Sequence, residues 1–577
     1  MLGYSTDKTT QILLALLKVH GIKKIIASPG TTNMCLVASM QSDPYFEMYS
    51  CVDERSAAYM ACGLSYESGE PVVITCTEAT ASRDYLPGLT EAYYRKLPIL
   101  CITGYHNLDN VGHLQSQVID RSQIPCDAIK LSLTTRVCKS ADDEWFNEMT
   151  INKAILGLTH NGGGPVHINI QFPRERQFTA TTLPQVRVIK RITSEDSFPS
   201  LPSGNIAVFV GSHKPWSYED EKILDKFCES NNAVVFCDHT SGYHGKYRMN
   251  FNPVFAQRGT PSGLAHAELL IHIGEVSGDT YAQSQLKACK SVWRVSEDGE
   301  VRDPFKKLKY IFQMRDLTFL SYYCNDSFNT AYFDACIQEK KRIMELLPEY
   351  EFSNLWIANQ LSKQIPSNSF VQLGIFNSLR SWNMVEMDES VQSNCNVGGF
   401  GIDGTLSSAL GASLAYPDKI HFCICGDLAF FYDMNSLCNR HVGNNLRILL
   451  VNNGRGIEFR NYSHPAYALG NTADPFIAAS GHNGNQSKEF VKAFADNLGF
   501  LYLSASNKEE FLNQMPYFVT PQKEAPIVFE VFTTTEAESN SLKNLLNAQR
   551  GDTSLKSTVQ KVIGEKGTKI LKSIIGK

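Results

Sequence analysis

Asp427 and the pair Asn452-Asn453 are the residues whose types and spacing first point to chemistry. An apolar run, His421-Phe422-Cys423-Ile424-Cys425, reads as a buried strand and ends in Gly426-Asp427. A helical pattern follows from Phe430 to Val442, and a second buried strand, Leu446 to Val451, ends in Asn452-Asn453-Gly454. One βαβ unit then carries a carboxylate and two amides at the carboxyl ends of its strands, the edge where open parallel sheets bind ligands. Carboxylate, amide oxygen and backbone carbonyl are hard donors suited to Mg²⁺ or Ca²⁺, and Mg²⁺ at such a site commonly serves a phosphate. The competing reading is a plain strand-loop-helix in which Asp427 is only an N-cap.

A second set of polar residues lies in the first third of the chain. Glu54, in Cys51-Val52-Asp53-Glu54-Arg55-Ser56-Ala57-Ala58, follows a strand pattern and opens a helix of small residues. Taken alone it is a first-turn acid favoured by the helix dipole. Ser28-Pro29-Gly30 makes the turn after a strand, Glu78 and Arg83 follow the next one, and His106 with Asn107 follows a third. Each stands at a carboxyl strand end. The competing readings are an Arg83–Asp84 pair and a helix-capping His106. His106 is the most attractive acid/base group, because an imidazole titrates near neutrality.

The elements that must position these groups follow from the apolar pattern. Ile22–Ala27, Pro71–Cys76 and Pro98–Thr103 read as buried strands, with helices at Met34–Met40, Arg55–Glu67 and Tyr85–Tyr94. That alternation predicts a doubly wound parallel sheet. Phe198 to Gly204, rich in Pro, Ser and Gly, is a linker. Strands at Asn205–Gly211, Ala233–Asp238 and Leu269–Gly274 make a second block with no GxGxxG, hence no sign of dinucleotide binding. The expectation is α/β, three doubly wound parallel-sheet domains at 1–191, 205–345 and 352–540, with a tail at 541–577. In that tail Val559, Val562, Ile563, Ile570, Leu571, Ile574 and Ile575 recur at helical spacing between lysines. A basic amphipathic helix of this kind either packs on its own subunit or touches a membrane surface or partner. No internal repeat is visible.

Composition bounds the rest. A chain of 577 residues with 43% hydrophobic and 20% charged residues is an ordinary globular protein of several domains. A net charge of −5 gives no reason to expect nucleic acid. The 16 cysteines sit singly in apolar stretches without CxxC spacing, as reduced thiols of a cytoplasmic protein do. Ile12–Leu17 is too short to span a bilayer and lacks the basic flank and cleavage site of a signal peptide.

Together, Ser28-Pro29-Gly30, Val52-Asp53-Glu54-Arg55-Ser56-Ala57, Leu86-Pro87, Glu91-Ala92, Gly401-Ile402-Asp403-Gly404, Gly426-Asp427-Leu428 and Asn452-Asn453 resemble the thiamine-diphosphate enzyme superfamily. They most resemble its MenD family of menaquinone-pathway synthases, which join 2-oxoglutarate to isochorismate. The match covers nearly the whole chain, in the order pyrimidine, central and diphosphate domain. Leu428, where most of the superfamily has Gly, is shared with that family. The resemblance implies thiamine diphosphate and Mg²⁺ as cofactors. It gives Glu54 the aminopyrimidine nitrogen to hold and Ile402 the wedge that bends the cofactor. Asp427, Asn453 and the Arg455 carbonyl become metal ligands, and Pro29, Gly30, Ser378, Gly401, Gly426 and Leu428 line the cofactor. Gln117 stands where the relatives face substrate. A homodimer or homotetramer with shared active sites is also implied.

The resemblance fails at the arginines that hold substrate carboxylates. Thr31-Thr32, Tyr105 or His106, Trp382 and Val397 stand at their places. Thr31, Glu78, Arg83, His106, Gln117 and Arg380 are the polar residues left to meet substrate. Without four bidentate clamps the expected reaction is decarboxylation of a 2-oxo acid with transfer of the acyl-anion unit to a carbonyl or enone acceptor other than isochorismate. The alternatives are a simple decarboxylase, the MenD reaction itself, and a non-catalytic scaffold.

Overall fold

The computed structural model describes residues 3–105, 108–121, 123–172, 177–259, 262–482 and 487–550. His106 and the tail beyond 550 lie outside the described residues. The chain divides into two compact units, Met1–Ser197 with Asp298–Gln313, and Phe198–Glu297 with Met314–Lys577.

In the first unit, apolar runs buried on both faces form the inner strands of a parallel sheet, and half-exposed segments, Glu47–Ser50 and Leu131–Thr134, form its edges. The strands are β1 (Lys24–Ala27), β2 (Glu47–Ser50), β3 (Val72–Cys76), β4 (Ile99–Tyr105), β5 (Leu131–Thr134) and β6 (Val166–Gln171). Their order is β2-β1-β3-β4-β6-β5. Helices cover both faces and start on side-chain caps. Asp7 accepts from Thr10 N at 2.8 Å to open the helix Lys8–Val19. Asp53 caps Glu54–Ser68, which Gly69 closes in the left-handed region at φ 67°. The last strands in this unit, β7 (Lys190–Ile192) and β13 (Leu308–Phe312), pair in parallel.

The second unit holds β8 (Ile206–Val210), β9 (Ala233–Cys237), β10 (Arg248–Asn250), β11 (Leu269–Ile273) and β12 (Ser291–Val295), in the order β10-β9-β8-β11-β12. It also holds a third parallel sheet of β14 (Phe370–Leu373), β15 (Gln392–Cys395), β16 (His421–Gly426), β17 (Leu446–Asn452), β18 (Leu501–Ala505) and β19 (Ile527–Phe532). That order is β15-β14-β16-β17-β19-β18. Counted from its own first strand it is 2-1-3-4-6-5, the same as in the first sheet. The protein therefore contains a repeated topology that its sequence does not display as a repeat. The fold is α/β with three parallel sheets, as expected. The helix read at Phe430–Val442 is displaced, however. It runs from Asp427 to Asp433 and continues as a 3₁₀ segment, Met434–Cys438. Asp433 ends it by accepting two bonds from Ser407, on the backbone N and on Oγ, both at 2.6 Å.

Beneath the carboxyl ends of β4 and β6, His167 is buried between Thr103 Oγ1 and Ser132 Oγ, each at 2.8 Å. Burial, aided by the Arg121 and Arg83 charges, brings it from 6.5 down to about 3. A histidine depressed in the folded state contributes stability above its unfolded pKa and loses it as pH falls toward the folded one. Between pH 7 and pH 4.5 the native protein should therefore lose about 2–3 kcal/mol more stability than His167→Gln. Thermal midpoints of both proteins at the two pH values check this.

Candidate active site

A sheet of order 2-1-3-4-6-5 has its topological switch point between its first and third strands, where connections leave in opposite directions and a crevice opens at the carboxyl ends. In the third sheet that crevice holds a cavity of about 410 Å³. Ile375, Phe376, Asn377 and Ser378 line it from the end of β14, Gly426, Asp427 and Leu428 from β16, and Asn453 and Arg455 from β17. Ile402 and Glu458 close it. Register pairs Gly426 with Val451, so Asp427 comes level with Asn452. Phe376 enters its turn at φ 63°, ψ −116°, a strained backbone for a non-glycine residue. Such strain is retained where the surroundings enforce it, typically at sites.

Asp427 is the first residue of its helix rather than the cap; Gly426 holds that position. Its Oδ1 accepts from Leu428 N at 2.7 Å, and Oδ2 accepts from the N–H groups of Asn453, Gly454 and Arg455 at 3.2, 2.6 and 3.1 Å. This carboxylate thus ties the loop after β17 to the end of β16. Burial nevertheless pushes its pKa from 3.8 up to about 6, against those four bonds. Burial also raises Glu530 and Glu538, and the Asp427 charge adds to both. Glu530 accepts from Asn452 Nδ2 at 2.7 Å and Tyr502 Oη at 2.8 Å. Glu538 accepts from Asn377 Nδ2 at 3.1 Å and Asn354 N at 3.0 Å, fixing two residues of the cavity wall.

This end of the cavity is short of positive charge, and a divalent cation would relieve all three carboxyl groups. Asn453 Oδ1 is buried with no hydrogen-bond partner, an amide oxygen left for a ligand. Among the described residues no cluster of three or more His, Cys, Asp or Glu can hold a metal. The cavity wall carries the Asp427 carboxylate and the unpartnered Asn453 amide oxygen, two hard donors that leave the rest of a cation's shell to phosphate oxygens and water. That donor set fits Mg²⁺ bound with a diphosphate.

In the first sheet the equivalent switch point lies between β1 and β3. Ser28, Pro29 and Gly30 follow β1 there; they also line a cavity of about 550 Å³ that opens on the other side of β1, where Met34, Val37 and the β2 residues Met48 to Ser50 complete its wall. A Cβ on Gly30 would meet Thr77 Cβ at 2.5 Å, so the turn sits hard against the end of β3. Thr32 Oγ1 and Thr77 Oγ1 bond at 2.7 Å. Glu54 begins its helix half-buried and forms no hydrogen bond or ion pair among the described residues. Its helix approaches Leu86–Tyr94 so closely that a Cβ on Gly88 would lie 2.5 Å from Ala58 Cβ.

The remaining candidates divide. Glu78 is buried beyond the end of β3, while Thr31 and Gln117 are exposed, Gln117 at φ 66°. Arg83 donates from Nη2 to the Asp120 carbonyl at 2.6 Å and does not pair with Asp84. Arg380 pairs with Glu458 through two bonds of 2.7 and 3.0 Å, so its guanidinium is already occupied by a carboxylate. Trp382 and Val397 are interior apolar side chains. Sequence reasoning missed Glu530, Glu538, Glu458 and Arg121. Only Glu530 carried a readable signal, as the lone charge in the apolar strand Ile527-Val528-Phe529-Glu530-Val531-Phe532.

Residues 7–124 match the family of the thiamine pyrophosphate enzyme, N-terminal TPP binding domain. Over 562 residues the chain is 31% identical to the 2-succinyl-5-enolpyruvyl-6-hydroxy-3-cyclohexene-1-carboxylate synthase of Bacteroides thetaiotaomicron, a match covering 94% of this chain and 98% of that protein. It is 30% identical to the synthase of the same name from Bacteroides fragilis over 562 residues, with 94% and 99% covered. It is also 30% identical to that from Phocaeicola vulgatus over 557 residues, with 94% and 98% covered. Among the described residues no helix is long and apolar enough to cross a membrane. The shared length, the thiamine-pyrophosphate domain and the cation-ready crevice at β16 and β17 leave one conclusion: the chain belongs to the family of the 2-succinyl-5-enolpyruvyl-6-hydroxy-3-cyclohexene-1-carboxylate synthases, which are thiamine-diphosphate enzymes.

Proposed function

We propose that the protein is a cytoplasmic carboligase that decarboxylates a 2-oxo acid and transfers the acyl-anion unit to a carbonyl or enone acceptor. The observation that carries this is the acidic crevice at Asp427 with the unpartnered amide oxygen of Asn453. Asp427, Asn453 Oδ1 and the Arg455 carbonyl would hold Mg²⁺, and Ser378, Ile402, Gly426 and Leu428, which line the same cavity, would hold the cofactor. When bound, thiamine diphosphate supplies the electron sink that takes up the electron pair left by departing carbon dioxide. Glu54 holds and returns a proton at the aminopyrimidine nitrogen, for which its unpaired carboxyl is free. The exposed apolar side chains beside it, Val52, Tyr59 and Tyr66, support a homo-oligomer in which a second copy covers this surface.

Transfer to an acceptor other than isochorismate is favoured by the interior packing of Trp382 and Val397 and by the occupied guanidinium of Arg380. The test is reconstitution with thiamine diphosphate and Mg²⁺, followed by product analysis with a panel of 2-oxo acids, with and without aldehyde and enone acceptors. Carbon dioxide release with a new carbon–carbon bond is the expected result. Free aldehyde alone would make the protein a simple decarboxylase. Conversion of 2-oxoglutarate with isochorismate would give it the relatives' reaction, and no turnover of any pair would leave a scaffold.

A further inference from the structure

His464 stands in the wall of the cavity that holds Asp427 and Asn453, and the chemistry proposed above gives it no part. It shares a stretch of that wall with Ile457, Glu458 and Phe459, in the chain that follows β17. Its half-buried ring meets the Phe459 ring edge-on, with centres 5.2 Å apart and planes at 86°. Its backbone is held on both sides: its N–H donates to the Asn461 carbonyl at 2.9 Å, and its carbonyl accepts from Tyr467 N at 3.0 Å.

A further bond fixes the ring proton. The N–H of Ala466 donates to Nδ1 at 3.0 Å, so the lone pair of Nδ1 is in use and the proton lies on Nε2. Protonating Nδ1 as well would set two N–H groups against each other, and giving up the Nε2 proton would leave an imidazolate. The ring is therefore built to donate a hydrogen bond, not to shuttle a proton. Nε2 forms no hydrogen bond among the described residues. The neighbouring carboxylate does not need it, since Glu458 already accepts two bonds from Arg380 and one from Asn461 Nδ2 at 3.3 Å. Apart from that neutralised pair, Ile457 and Phe459 make this stretch of wall apolar. A fixed, uncharged donor in such a wall suits an oxygen that enters uncharged and gains charge during reaction.

We propose that His464 is a catalytic residue whose Nε2–H donates a hydrogen bond to the carbonyl oxygen of the 2-oxo acid. This rests on the thiamine-diphosphate reading above. When the carbonyl carbon gains its new bond, the electron pair of the carbonyl π bond moves onto that oxygen. The proton stays on Nε2 throughout, so the ring neither gains nor loses one. What changes is the acceptor: an oxygen with growing charge takes the same hydrogen bond more strongly. The donor therefore stabilises the transition state more than the bound substrate, and acts on turnover rather than on affinity.

The test uses the full chain with thiamine diphosphate and Mg²⁺, and the 2-oxo acid that product analysis selects. His464→Phe keeps a ring but has no donor. It should lower kcat by about a hundredfold, leave KM within about threefold, and bind thiamine diphosphate as tightly as the native protein in calorimetry. His464→Gln puts an N–H back and should recover about tenfold of that loss. Independently of activity, the nitrogen-15 spectrum of the cofactor-loaded native protein, with the ring assigned by its absence from His464→Gln, should show a proton on Nε2 and none on Nδ1. A proton on Nδ1, an unchanged kcat in His464→Phe, or no advantage of Gln over Phe overturns the proposal. So does a loss of cofactor affinity in His464→Phe as large as its loss of kcat, because Nε2 would then serve the diphosphate. If His464→Phe does not fold, His464→Leu, smaller and equally without a donor, takes its place. A native protein that binds no thiamine diphosphate would sink the enzymatic reading itself, and the calorimetry tells that failure from the others.

Discussion

Asp427→Ala should lower the affinity for thiamine diphosphate in Mg²⁺ by about a hundredfold or more, measured by calorimetry on the native and variant proteins. Two losses combine. The cation would lose the carboxylate proposed to hold it, and the N–H groups of Leu428, Asn453, Gly454 and Arg455 lose their acceptor. The loop that carries Asn453 and Arg455 is then no longer tied to the end of β16. Asp427→Asn should fail nearly as badly, because its amide nitrogen would face donors. The pH dependence has a definite sign. The folded pKa of about 6 lies above the ordinary 3.8, so the stability Asp427 contributes to the cofactor-free protein is fully present below 3.8 and lost as pH rises through about 6. Cation binding needs the ionised form, so Mg²⁺-dependent cofactor affinity should climb between pH 5 and pH 7 and flatten above it. Affinity that is flat across that range would remove Asp427 from the cation shell.

Much of this site was legible before any coordinates, for a physical reason. An open parallel sheet binds ligands at one edge, and an apolar run broken by Asp or Asn marks that edge in the sequence. Asp427 and Asn453 were found that way, as were Ser28-Pro29-Gly30 and Glu78. Helix ends were less legible. Phe430 to Val442 has helical periodicity, but Asp433 is drawn onto Ser407, a tertiary bond that no local pattern announces. The repeated strand order was invisible because buried strands demand only apolar side chains, which β3 and β16 supply with unrelated residues. Arg121 was missed because a guanidinium was sought on the strand end itself, at 105 or 106. It reaches the Gly104 carbonyl instead from a loop residue 17 positions away. Charges delivered across loops in this way leave no spacing to read.

Glu54→Gln should leave thiamine diphosphate affinity within a few-fold of the native protein and reduce turnover of any accepted 2-oxo acid by about a hundredfold to ten-thousandfold, the usual worth of a positioned acid–base group. The substitution is close to isosteric, so the fold has little to lose. Asp53 still caps the helix through Arg55 N at 3.1 Å and Ser56 Oγ at 2.7 Å. Ala57, Ala58 and Ala61 still pack it against the sheet. Because Glu54 forms no bond within its own unit, its removal orphans no donor, and an activity loss cannot be passed off as local collapse. A glutamine can still meet a ring nitrogen through its amide but cannot give up and retake a proton there, which is why binding and turnover should separate. Carbon dioxide release and calorimetry on the same preparations measure the two effects, and exchange of the cofactor's thiazolium C2 proton, followed by nuclear magnetic resonance, measures the proton step on its own. Exchange as fast in Glu54→Gln as in the native protein would take the proton away from Glu54 and send the search for its carrier elsewhere along the β1–β3 edge.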